Sequence, residues 1–116
     1  MKKIYHLSTC DTTQNILAAV KAVEKKAVLQ DIKTEKITAA QLDEMKKLAG
    51  SYEALFSRRA LKYKSMGLKD RQLTEKDYRQ LILDEYTFLK RPVAIVGDRI
   101  FVGNSKNVVA ALKEAL

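Results

Sequence analysis

The chain has few of the residues that cross-link a fold, bind structural metals or interrupt helices and strands. Its 116 residues include one cysteine, one histidine, one proline, four glycines and no tryptophan. One cysteine cannot form an internal disulfide, and with one histidine it cannot complete a structural zinc site, so neither is predicted. No apolar run approaches the roughly 18 residues of a membrane span, and the N-terminus lacks the apolar run of a signal peptide. We therefore expect a cytoplasmic protein without membrane association, stabilised by its core.

Acidic residues are scarce relative to basic ones. The chain carries 22 Lys and Arg against 14 Asp and Glu, a formal net charge of +8. This excess permits binding to nucleic acid, phosphorylated ligands or acidic proteins. The densest basic stretch covers residues 58–71, where Asp70 is the one acid, and a solvated helix face explains it most simply. Because aromatic residues are few and no nucleic-acid-binding signature is present, nucleic acid is a disfavoured partner.

The first third of the chain predicts a β-α-β unit. Residues 4–7 form a short, mostly apolar run typical of a strand, and residues 27–32 form a second one. Between them, Thr12 or Thr13 can cap a helix. The apolar positions of that helix recur at helical spacing; they are Ile16, Leu17, Val20 and Val23. The two strands of such a unit are expected to be parallel, with a right-handed crossover.

Capping residues and periodicity predict a helical middle. Thr38 and Gln41 form a capping box at the start of a helix over 39–49. Short helices over 52–56 and 60–66 follow. A fourth helix of this block has an apolar face of four residues: Tyr78, Leu81, Ile82 and Tyr86.

Two strands and a helix close the chain. Residues 92–96 and 99–102 flank Gly97-Asp98, a two-residue loop of the kind found in tight hairpins. Residues 103–105 then cap a last helix that carries Val108, Val109, Leu112 and Leu116.

The order of these elements predicts the fold class. It is β-α-β, then a helical block at about 38–86, then β-β-α. That connectivity is typical of an α/β protein with a thioredoxin-like, mixed four-stranded sheet. We therefore expect a single domain over residues 1–116, with a helical insertion between the two halves of the sheet.

The cysteine is the first candidate for chemistry. Cys10 lies between the first strand and the first helix, where the unpaired amide groups of a helix N-terminus favour a thiolate. Thr12 and Thr13 add hydroxyl donors within one turn. The alternative is a buried, inert cysteine, which the polar neighbours of Cys10 disfavour. His6 either helps to hold the thiolate or packs in the sheet, and packing is the simpler role.

The proline is the second candidate. Arg91 precedes Pro92 at the start of the third predicted strand. A proline in this setting often adopts the cis form and exposes backbone groups for a substrate. The arginine can aim a fork of donors at an oxyanion. A trans proline with a solvated arginine is an equally good interpretation of the sequence alone.

Five stretches of the chain follow the order of a known family. They are residues 5–17 around Cys10, the arginine segment 55–68, and residues 73–75, 89–93 and 97–103. In order and spacing these stretches resemble arsenate reductases of the glutaredoxin-dependent ArsC type. The resemblance runs from about residue 2 to residue 112 and implies a thioredoxin-type fold with a helical insertion.

The resemblance implies a mechanism and its residues. Cys10 would attack arsenate as a thiolate, with His6 as the neighbour that tunes it. Arg59 and Arg91 would bind the oxyanion, with Arg58 as the alternative to Arg59. Thr12, Thr13 and Pro92 complete the predicted substrate-binding set. Glutathione would resolve the adduct and glutaredoxin would reduce the mixed disulfide, so the expected partners are a small oxyanion or small thiol and an external thiol reductant, with no bound cofactor.

Three features depart from the reductase pattern, and the first is Leu7-Ser8 in place of the usual Asn-Pro. Gln14 stands where the loop of the family carries arginine, and Asn104 stands where such reductases often place another. Each lost charge-assisted hydrogen bond removes about 1.5–3 kcal/mol of anion binding, so arsenate itself is an uncertain substrate. The alternative is a non-enzymatic regulatory or protein-binding member resembling the Spx-type regulators that bind RNA polymerase. The chain lacks their Cys-x-x-Cys switch.

Overall fold

The backbone forms two compact units. A computed structural model describes every residue from Met1 to Leu116. The sheet unit comprises Met1–Lys36 and Arg91–Leu116, and the helical unit comprises Ile37–Lys90. The predicted insertion at about 38–86 lies inside the helical unit, and the organisation of residues 1–116 as a single domain stays a prediction.

The sheet has the predicted connectivity. Its strands are β1 (Lys2–His6), β2 (Val28–Asp31), β3 (Val93–Val96) and β4 (Arg99–Val102). The spatial order is β2-β1-β3-β4, with β1 parallel to β2 and antiparallel to β3, and with β3 antiparallel to β4. The predicted α/β fold with a mixed, thioredoxin-like four-stranded sheet is confirmed.

Five α-helices accompany the sheet. They are α1 (Asp11–Ala19), α2 (Ala39–Ala49), α3 (Leu61–Ser65), α4 (Glu75–Asp84) and α5 (Lys106–Ala115). None of these helices combines the length and the apolar character that a membrane crossing needs.

The core of the sheet unit explains why α1 and α5 pack on the sheet. Ile4, Ala94 and Phe101 are directly opposite one another on β1, β3 and β4, so they share one face. They belong to a buried cluster that also contains Ile16, Leu17 and Val20 near α1 and Leu112 of α5. Burying each such side chain contributes about 1.5–3 kcal/mol. This packing fixes the start of α1 next to the end of β1.

Both ends of the first helix differ from the prediction. The chain enters helical geometry at Asp11, so Cys10 and not Thr12 or Thr13 occupies the N-cap position. At the other end, α1 stops at Ala19, because the chain turns into left-handed geometry at Lys21 with φ +56°. Val23 is therefore not part of the apolar face; it is 72% exposed.

The helical unit is organised around Phe56. This fully buried ring stacks on Phe88 at 5.0 Å between ring centroids and contacts Tyr78 at 4.9 Å. The N–H groups of Ser57 and Lys90 donate to carbonyl groups of Phe88 and Leu55 (2.7 and 2.8 Å) and join two extended segments. Tyr86 belongs to a separate 3-10 turn after α4, not to its apolar face as predicted, because α4 ends at Asp84.

The capping box of α2 is confirmed. The Thr38 hydroxyl accepts a bond from the Gln41 N–H at 3.1 Å, and the Gln41 side chain accepts one from the Thr38 N–H at 3.0 Å. Gly50 ends the helix with φ +98°, a conformation that glycine adopts without steric cost.

One ion pair of the helical unit predicts a pH dependence of stability. Arg79 donates two hydrogen bonds to the Asp43 carboxylate (2.9 and 3.1 Å), and the Tyr52 hydroxyl donates a third (2.6 Å). Arg79 foremost, and then Tyr52, lower the pKa of Asp43 from 3.8 to about 2. A carboxylate with a lowered pKa stabilises the fold above its unfolded-state pKa and loses this contribution as the pH falls through the folded-state pKa.

We therefore expect the Asp43→Asn variant to lose less stability than the wild type between pH 3.8 and about 2. Urea unfolding measured across that interval tests this. Glu44→Gln, at the neighbouring exposed position, is the control and should follow the wild type. If the Asp43→Asn substitution leaves the pH profile unchanged, the ion pair does not contribute to folding.

Candidate active site

The candidate site is built on the turn that joins β1 to α1. The Cys10 N–H donates to the Leu7 carbonyl at 3.1 Å and closes the turn. The Cys10 carbonyl then accepts the first helical hydrogen bond from the Gln14 N–H at 3.0 Å. Cys10 has extended geometry, with φ −102° and ψ 107°, and no side chain caps the helix in its place. The free N-terminal amides of α1 are thus available to the cysteine sulfur.

Asp31 anchors the outer side of this turn. Its Oδ1 accepts hydrogen bonds from the N–H groups of Ser8 (3.2 Å) and Lys33 (3.1 Å). The Ser8 side chain has the largest effect and lowers the pKa of Asp31, so this carboxyl stays ionised as an acceptor. Because β1 and β2 are parallel, with His6 opposite Asp31, the carboxyl end of β2 lies beside the turn that carries Cys10.

The thiol of Cys10 is partly exposed, and its surroundings lower its pKa. Burial of the sulfur is the largest single effect and raises its pKa, but it is outweighed. The Thr13 hydroxyl, the Thr13 N–H and the Arg91 guanidinium with its charge act in the opposite direction and bring the pKa of Cys10 below its ordinary value. The prediction of an activated thiol assigned the main effect to the helix N-terminus. In the structure, the Thr13 hydroxyl has a larger effect than the backbone N–H.

Apart from its effect on the pKa of Cys10, the Thr13 hydroxyl makes no interaction that would explain its buried position. It is only 1% exposed, and its Oγ1 makes no hydrogen bond within the protein. A buried hydroxyl without a partner costs free energy, and here the group that it stabilises is the Cys10 thiolate. Thr12, the other predicted hydroxyl donor, is exposed.

Replacing Thr13 with valine is therefore expected to raise the pKa of Cys10 without lowering the free energy of unfolding. Valine has the same shape and removes only the hydroxyl. The measurement is the rate of Cys10 alkylation by iodoacetamide as a function of pH. Thr12→Val is the matched control and should leave the profile unchanged. Equal profiles for both variants would show that the Thr13 hydroxyl does not act on the sulfur.

Gln14 contacts the predicted neighbour of the cysteine. Its Nε2 lies 3.1 Å from His6 Nδ1 and donates to the Leu7 carbonyl at 3.0 Å. The amide at this position, where the resemblance implies an arginine, is thus bonded to the end of β1. His6 is half-buried at the end of its strand, and its effect on the thiol stays a prediction.

Arg91 and Pro92 lie at the same end of the sheet. The peptide bond between them is cis, the form that the sequence left open. Pro92 is buried, and its carbonyl accepts a hydrogen bond from the Gly103 N–H at 2.9 Å. β3 pairs with β1 so that Val93 is opposite Tyr5, which brings Arg91 within reach of the turn. Cys10, Thr13 and Arg91 therefore form one constellation.

The other predicted arginines belong to the helical unit. Arg58 donates to Glu53 at 2.8 Å and to the Tyr78 hydroxyl at 2.9 Å. Arg59 is exposed. The oxyanion-binding roles of both arginines stay predictions. Asn104 is exposed in the turn after β4.

The site includes two residues whose roles the sequence analysis missed. Asp31 anchors the turn, and the parallel pairing of β1 with β2 is the signal that could have indicated it, since the carboxyl ends of parallel strands meet. Gln14 was identified only as a missing arginine. Its bonds to His6 and Leu7 depend on a side-chain orientation that no sequence pattern indicates.

Known proteins share this architecture over most of the chain. The ArsC family model matches residues 5–112, whereas no curated protein matches. A Yersinia pestis protein provisionally described as an arsenate reductase is similar in structure, with a TM-score of 0.80 and 21% identity over 96% of this chain and 99% of that one.

Two further solved structures are similar. An arsenate reductase from Vibrio cholerae has a TM-score of 0.79 and 16% identity over 99% of this chain and 97% of that one. An arsenate reductase (ArsC) related protein from Brucella melitensis has a TM-score of 0.73 and 22% identity over 95% and 92%. These structures are similar in fold, and the family model spans nearly the whole sequence. The protein therefore belongs to the ArsC family.

Proposed function

We propose that the protein is a single-cysteine thiol oxidoreductase that resembles the glutaredoxin-dependent arsenate reductases. The observation that carries this proposal is the Cys10 sulfur at the start of α1, with its pKa lowered by Thr13 and Arg91. A thiolate is the reactive form of cysteine, and a positively charged, partly exposed setting is typical of reactive cysteines. An external thiol of the cytoplasm would supply the electrons.

The proposed reaction proceeds in balanced steps. The Cys10 thiolate attacks the arsenic(V) atom of arsenate and forms a sulfur–arsenic bond, and a hydroxide leaves the arsenic. A glutathione thiolate then attacks the Cys10 sulfur, forming a sulfur–sulfur bond. The electron pair of the broken sulfur–arsenic bond stays on arsenic, which leaves as arsenite, so arsenic is reduced and the two sulfurs are oxidised. A dithiol such as glutaredoxin finally reduces the mixed disulfide by thiol–disulfide exchange.

Arg91 is the proposed cation for the oxyanion. Its guanidinium already reaches the Cys10 sulfur, and its planar fork of donors fits a tetrahedral oxyanion. Gln14 supplies no positive charge, and its amide nitrogen is bonded to His6 and Leu7. We therefore expect weak binding of arsenate. A small disulfide that contains glutathione is the alternative substrate, attacked at sulfur by the same thiolate.

Mass spectrometry of trapped intermediates tests the proposal. The protein is incubated with arsenate and glutathione, without glutaredoxin, and quenched with acid. We expect a glutathione adduct on Cys10 that requires arsenate. In parallel, glutathione disulfide replaces arsenate. If the adduct forms with glutathione disulfide and not with arsenate, the substrate is a disulfide that contains glutathione. If no adduct forms under either condition, the protein is not an oxidoreductase of this kind.

A binding role is the second candidate, favoured by the basic stretch 58–71. Arg59, Lys64, Lys69 and Arg71 are exposed there, a surface suited to an acidic protein. A regulator would keep its function in the Cys10→Ser variant and lose it in Arg59→Glu, whereas an oxidoreductase loses its activity in Cys10→Ser. Comparing the two variants separates the candidates.

A further inference from the structure

The Gln14 amide makes two contacts with the end of β1 through one nitrogen. Nε2 lies 3.0 Å from the Leu7 carbonyl oxygen and 3.1 Å from His6 Nδ1. An amide nitrogen carries two hydrogens and no acceptor site, so it can serve both contacts at once.

The Leu7 contact determines which way the amide is turned. A carbonyl oxygen can only accept a hydrogen bond, so the nitrogen and not the oxygen of the Gln14 amide must face it. The same nitrogen therefore faces His6 Nδ1. For a hydrogen bond to form there, Nδ1 must present a lone pair, and the proton of the neutral imidazole must be on Nε2.

We propose that Gln14 is a positioning residue that holds His6 in the tautomer protonated on Nε2 and at the same time fastens the turn that carries Cys10. This inference builds on the proposed function, because it assigns a role beside the thiol to the residue that replaces the loop arginine. The Leu7 carbonyl accepts from both Cys10 N–H and Gln14 Nε2. One side chain thus couples the orientation of the imidazole to the position of the sulfur.

The tautomer limits what His6 can do. With its proton on Nε2 and Nδ1 occupied by Gln14, the neutral ring has no free lone pair with which to take a proton from the thiol. His6 then acts as a hydrogen-bond donor through Nε2, and Thr13 and Arg91 supply the activation of Cys10. Asp31, opposite His6 on β2, is the ionised group beside the ring, and the positive charge of the protonated imidazole lowers the pKa of Asp31.

Nitrogen-15 NMR of the histidine ring tests this proposal directly. The chain has one histidine, so the signals need no assignment among rings. At about pH 8, above the ordinary histidine range, the wild type is expected to show a protonated Nε2 and a hydrogen-bonded, unprotonated Nδ1. In Gln14→Leu, the ratio of the Nδ1–H to the Nε2–H form should rise by about two- to tenfold, the range that one net hydrogen bond supports.

A nearly isosteric variant gives the sharper result. In Gln14→Glu, a carboxylate oxygen, which accepts a hydrogen bond, replaces the amide nitrogen, which donates one to His6 Nδ1. The proton of the imidazole should therefore move from Nε2 to Nδ1. Asn15→Leu, at the adjacent exposed position, is the control and should match the wild type. A wild-type proton on Nδ1, or a tautomer ratio that Gln14→Glu leaves unchanged, would overturn the proposal.

The same spectra in a Cys10→Ser background separate this inference from the proposed function. The tautomer does not depend on the reactivity of the sulfur, so it should be unchanged there. If trapping shows no Cys10 adduct while the ring signals behave as expected, the positioning role stands and the oxidoreductase proposal fails.

Discussion

Replacing Cys10 with serine is expected to lower the rate of reduction by at least about 10³-fold, because a hydroxyl at neutral pH is a far weaker nucleophile than a thiolate and the chain has no second cysteine. The measurement is turnover with arsenate, or with glutathione disulfide, in the presence of glutathione and glutaredoxin. The glutathione adduct should disappear together with turnover, since the chain then has no thiol to carry it.

Stability is the control for this experiment. Cys10 is partly exposed and belongs to no buried core cluster, so the serine variant should unfold at nearly the same urea concentration as the wild type. If the folded serine variant keeps more than about a tenth of the wild-type rate, the sulfur is not the nucleophile, because loss of a covalent catalyst costs several powers of ten.

Replacing Arg91 with methionine is expected to have the second-largest effect. The change removes the guanidinium, which bonds to the sulfur, and it also removes the positive charge that the guanidinium places beside the sulfur. Binding of sulfate, used as an inert oxyanion probe, should weaken by about ten- to a hundredfold, as the loss of a charge-assisted hydrogen bond implies. The pKa of Cys10 should rise, because the thiolate loses an opposite charge.

Two further variants isolate the local effect of Arg91. Arg99→Met removes the same charge from the same sheet unit, where the Arg99 guanidinium lies over the Phe101 ring at 4.9 Å from its centroid, and it should leave sulfate binding nearly unchanged. Arg91→Lys keeps the charge but loses the planar fork, so its affinity should be intermediate. Equal losses in Arg91→Met and Arg99→Met would indicate a general effect of net charge instead of an anion site.

Local signals made the capped helices predictable from the sequence. The capping box of α2 needs only Thr38 and Gln41, three positions apart, and its end needs only Gly50, so each signal is complete within a few residues. The start of α1 was not predictable in this way, because polar residues 8–13 offer several capping positions. The end of α1 was not predictable either, because the residue that adopts the left-handed conformation there is Lys21 and not a glycine.

The candidate site was predictable where chain order alone brings residues together. Cys10 follows β1, and Arg91 precedes β3, which pairs with β1; the predicted topology therefore placed both at one end of the sheet. To predict the role of Asp31, the register between β1 and β2 would have to be known, and the sequences of short strands specify their register weakly. To predict the role of Gln14, the orientation of its side chain would have to be known. Its helical position was predictable, but its bonds to His6 and Leu7 follow from packing around the turn.

The lowered pKa of Cys10 is the claim on which the account depends most. It is measured most directly by following the rate of iodoacetamide alkylation of the wild-type protein from about pH 4 to about pH 10, a range that spans the pKa values known for activated and free cysteines. Because Thr13 and Arg91 stabilise the thiolate, the account predicts a midpoint below the ~8.5 of a free cysteine. A midpoint at or above that value would show that the sulfur is not activated and would contradict the proposed chemistry.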